Sequence, residues 1–299
     1  MTFPVFLELV EIKAKTASIL PFLVGLCYSY FMYGTIQPLL ALLFFVAMIL
    51  FNMFVDVWDN YQDYKNAHDN DYLEQTNIIG REGLKLRQLE WLLAAMFISS
   101  ALIGLLIVYV VGLSLLYLGL FCFAVGVLYS AGPRPLSSLP LGEIFSGVTM
   151  GFMICLITVF INTHTVFDWN WYSVMEVFLI SLPCTLWISN LMLANNLCDK
   201  EEDEKNHRYT LVHYTGVKGG LYLFALTNVL AVMAIPLQYC LGLAPSTVLW
   251  SLVMIPFVIK QTRLLWNKQV KAETFSAAVK ILALGSTIYV ITFALGLMM

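Results

Sequence analysis

A chain that returns repeatedly to runs of about 20 apolar residues has little choice of structure at each run, because backbone polar groups in hydrocarbon must be bonded within the segment and a helix does this. Nine such runs occur, near 16–34, 38–58, 88–111, 113–130, 143–162, 172–198, 217–237, 246–262 and 277–298. Composition agrees, with 60% apolar and 12% charged residues over 299 positions, against roughly 45–50% and about 25% in soluble proteins. The expected fold is an all-α integral membrane protein, about nine transmembrane helices in one bundle around a central cavity, forming a single domain over 1–299. The first run follows Lys13 and Lys15 without a small-residue cleavage signature, so it is expected to remain as a span.

Threading nine spans with the N-terminus in the cytoplasm places all sixteen Lys and Arg residues on one side. They fall before span one, or within or flanking the gaps between spans two and three, four and five, six and seven, and eight and nine. Basic loops stay cytoplasmic, so the expected location is the cell membrane, multi-pass, with the charged face inward. The net charge is -3, and no basic excess points to nucleic acid. Six cysteines without a CxxC pair are expected to be free thiols, with no structural zinc.

Nine of the nineteen acids gather in two places. FNMFVDVWDNYQDYKNAHD (51–69) starts in the second apolar run, and its Asp56, Asp59, Asn60 and Asp63 would share one helical face. NNLCDKEEDEKNHRYT (195–210) follows the sixth run and spaces Asn195, Asp199 and Asp203 by four. Glu90 and Glu176 read as solvated boundary acids, and Glu201, Glu202 and Glu204 as a hydrated run. Clustered carboxylates near low dielectric repel one another and need a cation. Oxygen-only ligands select a hard ion, and Mg2+ commonly takes one or two carboxylates, waters and substrate phosphates. The pattern therefore points to a diphosphate bridged by Mg2+.

On these residues the chain resembles the UbiA superfamily of intramembrane prenyltransferases, and within it the 1,4-dihydroxy-2-naphthoate prenyltransferases of menaquinone synthesis. Asp199 and Asp203 match the second motif, DxxxD. Asp59, Asn60, Tyr61 and Asp63, with Asp69 six residues later, resemble the first motif, NDYxD. YSAGPRPLSSLPLGEIFSGVTMGF (129–152) is similar to the family's YTGGPKP and following GE segment, so a loop motif occupies 129–143. Three departures stand out: Asp59 and Asn60 reverse the common order, Ala67 replaces a frequent Gly, and Cys198 replaces an Arg often found before the second motif.

The resemblance implies Mg2+ held by Asp56, Asp59, Asp63, Asp199 and Asp203, with Asp63, Asp199, Asp203 and Tyr129 as catalytic residues. Asn60, Asp69, Arg81, Arg134, Asn195, Lys205 and Arg208 are the expected substrate-binding groups, and Lys13 or Lys15 could add a cation. A polyprenyl diphosphate would lose its leaving group, with its tail among apolar helices and open to the lipid bilayer. Tyr129, Tyr61 and Trp58 are candidate walls for the allylic cation. An aromatic acceptor, 1,4-dihydroxy-2-naphthoate, would be alkylated with loss of CO2; His207 could assist proton removal or be plain solvated polarity. Other readings are a sister enzyme for 4-hydroxybenzoate, homogentisate or haem, and an ion-coupled transporter, which would place acids at mid-depth beside broken helices.

Overall fold

The computed structural model describes residues 1–66 and 72–299. Among these residues the chain is helical, with nine helices long and apolar enough to cross a membrane. We label them α1 (Ile12–Tyr33), α2 (Pro38–Asn66), α3 (Leu86–Val111), α4 (Leu113–Ser130), α5 (Gly142–Thr163), α6 (Trp171–Cys198), α7 (Leu211–Cys240), α8 (Ser246–Asn267) and α9 (Lys271–Met298). The protein is a multi-pass membrane protein.

Two differences from the apolar runs matter for function. Helix α2 continues to Asn66, well past the last apolar residue of its run, so the first acidic stripe is carried on regular helix. Helix α7 has an extra turn before Gly216, whose φ of 68° lies in the left-handed region and breaks the helix there. The span proper therefore begins at 217, where the apolar run begins.

The chain divides into two compact units, Met1–Thr16 with Leu39–Pro135, and Ala17–Pro38 with Leu136–Met299. In the first, Leu9 and Val10 from the N-terminal segment pack with Phe54, Val57 and Tyr61 of α2, Ile78 and Ile79, and Leu89, Leu93 and Met96 of α3. Phe51 stacks on Phe123 of α4 at 4.0 Å. Exposed positions on α3 include the apolar Leu102, Leu105 and Leu106.

The second unit is organised around α6, whose sequence sets it a problem. Pro183 has no N–H, so the carbonyl of Leu179 loses its helical partner. In hydrocarbon that carbonyl must bond elsewhere, and Gln238 of α7 donates to it at 2.6 Å. The same Gln238 accepts from the Tyr289 hydroxyl of α9 at 2.8 Å, and that hydroxyl also lies 3.1 Å from the Ile180 carbonyl. One proline thus ties three helices together.

Helix α5 meets α6 differently. Residues Gly147–Met153 form a π-helical stretch, and a Cβ at Gly151 would lie 2.5 Å from the Thr185 Cα. The four-residue spacing of Gly147 and Gly151 is the small-residue pattern that lets membrane helices approach closely.

Candidate active-site elements

A helix turns about 100° per residue, which puts Phe54, Trp58 and Tyr61 on one side of α2 and Asp56, Asp59, Asn60 and Asp63 on the other. Phe54 stacks on Trp58 with rings 6.0 Å apart, and Trp58 on Tyr61 at 5.8 Å. The Trp58 indole N–H donates to the Val127 carbonyl at 3.1 Å, and the Tyr61 hydroxyl donates to Glu90 at 2.6 Å. These two rings are packing residues of the first unit and back the helix that presents the acids. Glu90, as acceptor of the Tyr61 hydroxyl, is more than a solvated boundary acid. Glu176 likewise accepts from the buried Tyr28 at 3.1 Å.

Among the described residues of the first motif, Asp56, Asp59 and Asn60 have identified partners. Asp56 forms an ion pair with Lys15, which is itself buried. Asp59 accepts from the Ser130 hydroxyl at the end of α4, so the start of the loop motif is bonded to the acidic stripe. Asp63 is half-buried. The Asn60 amide donates to the Asp56 carbonyl at 3.0 Å, while its own carbonyl accepts from Asn77 at 3.0 Å. Asn77 also caps the short helix Ile78–Arg81, accepting from the Ile79 N–H at 2.9 Å. Arg81 is committed to Glu8 at 2.7 Å and Glu82 at 3.3 Å. Tyr129 is half-buried with its hydroxyl out of solvent, and Arg134 is exposed. Asp69 lies outside the described residues.

In the second unit, α6 stops at Cys198 because Asp199 (φ -101°, ψ 8°) leaves helical geometry, and a new helix runs from Lys200 to Lys205. Backbone bonds from Asp199 to Asn195 at 3.0 Å and from Asp203 to Asp199 at 2.8 Å carry the four-residue spacing across the break. The chain then reverses at His207, whose φ of 57° serves the turn. That reversal brings the Arg208 guanidinium to 3.3 Å from Asp203. Asp199 is paired with Lys271, the first residue of α9, at 2.5 Å. Asn195 is half-buried, and Lys205 is exposed.

Asp203 is the most exposed to low dielectric of these acids. It is 7% accessible, and its Oδ2 makes no hydrogen bond. Burial raises its pKa to about 6, with Asp199 adding to the rise and Arg208 and Lys271 opposing it. A buried carboxylate oxygen without a donor is costly, and a cation is the simplest ligand for it. Among the described residues no group of three or more His, Cys, Asp or Glu could hold a metal alone. Mg2+ commonly takes one or two carboxylates and completes its shell with water and substrate phosphate. The all-oxygen donors Asp199 and Asp203 suit it.

The loop motif is anchored to this region by two bonds. Glu143 accepts from the Asn196 amide at 2.8 Å, both residues being buried, and the Ser138 carbonyl accepts from the Tyr209 N–H at 3.0 Å. Ser130, Asn77, Glu143 and Lys271 were not among the residues expected from sequence. Glu143 had a signal, since it stands in the GE segment of the matched loop; the others pair across gaps of 17 to 72 residues that no spacing rule links.

The chain is similar in sequence and fold to known proteins. The profile of the UbiA prenyltransferase family matches residues 18–296. A 1,4-dihydroxy-2-naphthoate octaprenyltransferase from Bacillus subtilis (strain 168) is 33% identical over 221 residues, covering 73% of this chain and 68% of that protein. The structure of a UbiA homolog from Aeropyrum pernix K1 superposes with a TM-score of 0.70 at 17% identity, over 92% of this chain and 96% of that one. A UbiA homolog from Archaeoglobus fulgidus bound to DMAPP and Mg2+ gives 0.62 at 14% identity, over 97% and 99%.

Proposed function

This chain belongs to the UbiA prenyltransferase family, and from that premise we propose that it transfers a polyprenyl group from an allylic diphosphate to 1,4-dihydroxy-2-naphthoate, using Mg2+ and releasing CO2. The observation that carries the diphosphate reading is the buried, unbonded Oδ2 of Asp203 beside the Lys271-paired Asp199. The acceptor rests on the similarity to the Bacillus naphthoate enzyme.

Asp59 and Asp63 of the first motif and Asp199 and Asp203 of the second are the proposed metal ligands, and Asn60 and Asn195 are proposed substrate-binding groups. Asp56 is neutralised by Lys15, so its part is to hold that lysine in place unless ligand binding separates the pair. When bound, Mg2+ supplies Lewis acidity and charge neutralisation at the leaving diphosphate. Arg208 is paired with Asp203, itself a proposed metal ligand, whereas Arg81 is paired with Glu8 and Glu82. Arg208 is therefore the stronger candidate to reach a phosphate oxygen, with the exposed Arg134 and Lys205 as further cations.

The step breaks the allylic C–O bond, whose electron pair leaves with diphosphate. A ring carbon of the acceptor bonds to the allylic carbon, and its carboxyl departs as CO2, returning an electron pair to the ring. The product is a prenylated naphthoquinol, and a separate two-electron oxidation gives demethylmenaquinone. Tyr129, half-buried beside Ser130, is the proposed aromatic to face the allylic cation, since Trp58 and Tyr61 lie on the side of α2 away from its acids.

We also place the N-terminus and both acidic motifs on the cytoplasmic side of the cell membrane, supported by the one-sided Lys and Arg distribution. The test of the reaction class is product mass spectrometry on purified protein given Mg2+, a long-chain prenyl diphosphate and a panel of acceptors. A prenylated naphthoquinol is expected. A prenylated hydroxybenzoate or homogentisate in its place would move the chain to a sister specificity, and no prenylated product from any acceptor would refute the proposal.

A further inference from the structure

We propose that Lys271 is an exchanging cation of the second acidic motif: it masks Asp199 while the site is empty and turns to the diphosphate when metal takes the carboxylate. The inference rests on the diphosphate reading above. The Lys271 ammonium lies 2.5 Å from Asp199 although the residues are 72 apart in sequence. Its side chain is 56% accessible, while that of Asp199 is 13% accessible. The lysine thus reaches from solvent into a recess, and holding a long side chain in one geometry costs rotamer entropy that an ordinary surface pair barely repays. What rewards it here is a carboxylate that is mostly out of water.

The backbone at this point is fixed. The Glu273 and Thr274 N–H groups donate to the Val270 carbonyl at 3.0 and 2.8 Å, and the Val270 N–H donates to the Thr274 hydroxyl at 3.1 Å. The neighbouring Lys268 is held by both oxygens of Glu273 at 2.6 Å, so Lys271 is the lysine of this turn that serves the acidic motif. Cys198, next to Asp199, brings no charge.

The electrostatic balance then follows. Asp199 with Lys271 and Asp203 with Arg208 form two neutral pairs. Metal binding to Asp199 frees the Lys271 ammonium, whose three N–H groups are donors only. The oxygens of a metal-bound diphosphate are the acceptors that match them. Lysine acts on phosphate as a mobile point charge, which is the property an exchange requires.

The test uses the full-length protein in nanodiscs, with wild type, Lys271→Gln and Lys271→Arg compared by titration calorimetry. The probes are Mn2+ alone, then geranyl thiodiphosphate at saturating Mg2+. Lys271→Gln should bind Mn2+ more tightly, because a competing cation is gone, yet bind the thiodiphosphate about tenfold more weakly, as expected for a lost charged hydrogen bond. Lys271→Arg should stay close to wild type in both. If Lys271→Gln changes neither affinity, or weakens both together, Lys271 only decorates or braces Asp199 and the exchange is wrong. If wild type itself fails to bind the thiodiphosphate with metal, the diphosphate reading falls first, a result distinguishable from a fault in Lys271.

Discussion

At the scale of residues, the acids divide by what already satisfies them. Asp56 has Lys15, Asp59 has Ser130, Asp199 has Lys271, and Asp203 keeps an oxygen bonded to nothing. Asp63→Ala and Asp203→Ala should each reduce turnover by more than the roughly 10- to 100-fold typical of groups behind a metal ligand, with thermal unfolding in detergent near that of wild type; retained turnover in both purified variants would remove the metal assignment. Asp203 also fixes a pH dependence. Its folded pKa of about 6 lies above the ordinary value of 3.8, so the metal-free folded state holds a proton there that an unfolded chain releases, and this group's contribution to stability declines as pH rises from about 4 to 6. Metal must displace that proton below about pH 6. Mn2+ affinity should therefore weaken as pH falls through 6, and Asp203→Asn should remove that step from the titration curve. The acids themselves are legible in sequence, because carboxylates at helical spacing beside apolar runs are expensive enough to need a reason. Their partners are not. Lys15 reads as a membrane anchor until its bond to Asp56 is seen, and Trp58 and Tyr61 read as site aromatics until α2 turns them to the opposite face.

At the scale of elements, the sites are as good as the helices that carry them. The spans are legible because the requirement they meet is local: each must satisfy its own backbone in hydrocarbon. Where polarity takes over from hydropathy the reading fails, which is why α2 outruns its apolar segment by a further two turns of acids and amides. The break at Asp199 is equally invisible, because the residues on both sides of it are sound helix formers. Helix α6 delivers the second motif and is gripped by α5 through Gly147 and Gly151. Gly151→Ala pushes a methyl group against the backbone of Thr185, which cannot rotate away, and should cost about 1–3 kcal/mol. A lower unfolding temperature in detergent, with weaker Mg2+-dependent turnover, is the expected result. Unchanged stability would mean that α5 and α6 can separate without loss.

At the scale of the whole molecule, the sixteen cations make a statement that no single helix makes. If the N-terminus is cytoplasmic, Asn66→Cys and Asn206→Cys in a cysteine-free background should both be labelled by an impermeant reagent from the cytoplasmic face, and Thr165→Cys from the other. Labelling of the first two from opposite faces would contradict the span count. Family and reaction class are legible from the short motifs because those motifs carry the chemistry; the acceptor is not, because the groups that would meet its hydroxyls and carboxylate have no spacing signature. The most direct test of the central claim is therefore made on the acceptor itself. Membranes containing the protein are given Mg2+, a long-chain prenyl diphosphate and 1,4-dihydroxy-2-naphthoate labelled at its carboxyl carbon. Labelled CO2 and a prenylated naphthoquinol should appear in equal amounts, and EDTA should abolish both. Prenylation of 4-hydroxybenzoate with the naphthoate untouched, or a prenylated product that retains the label, would contradict it.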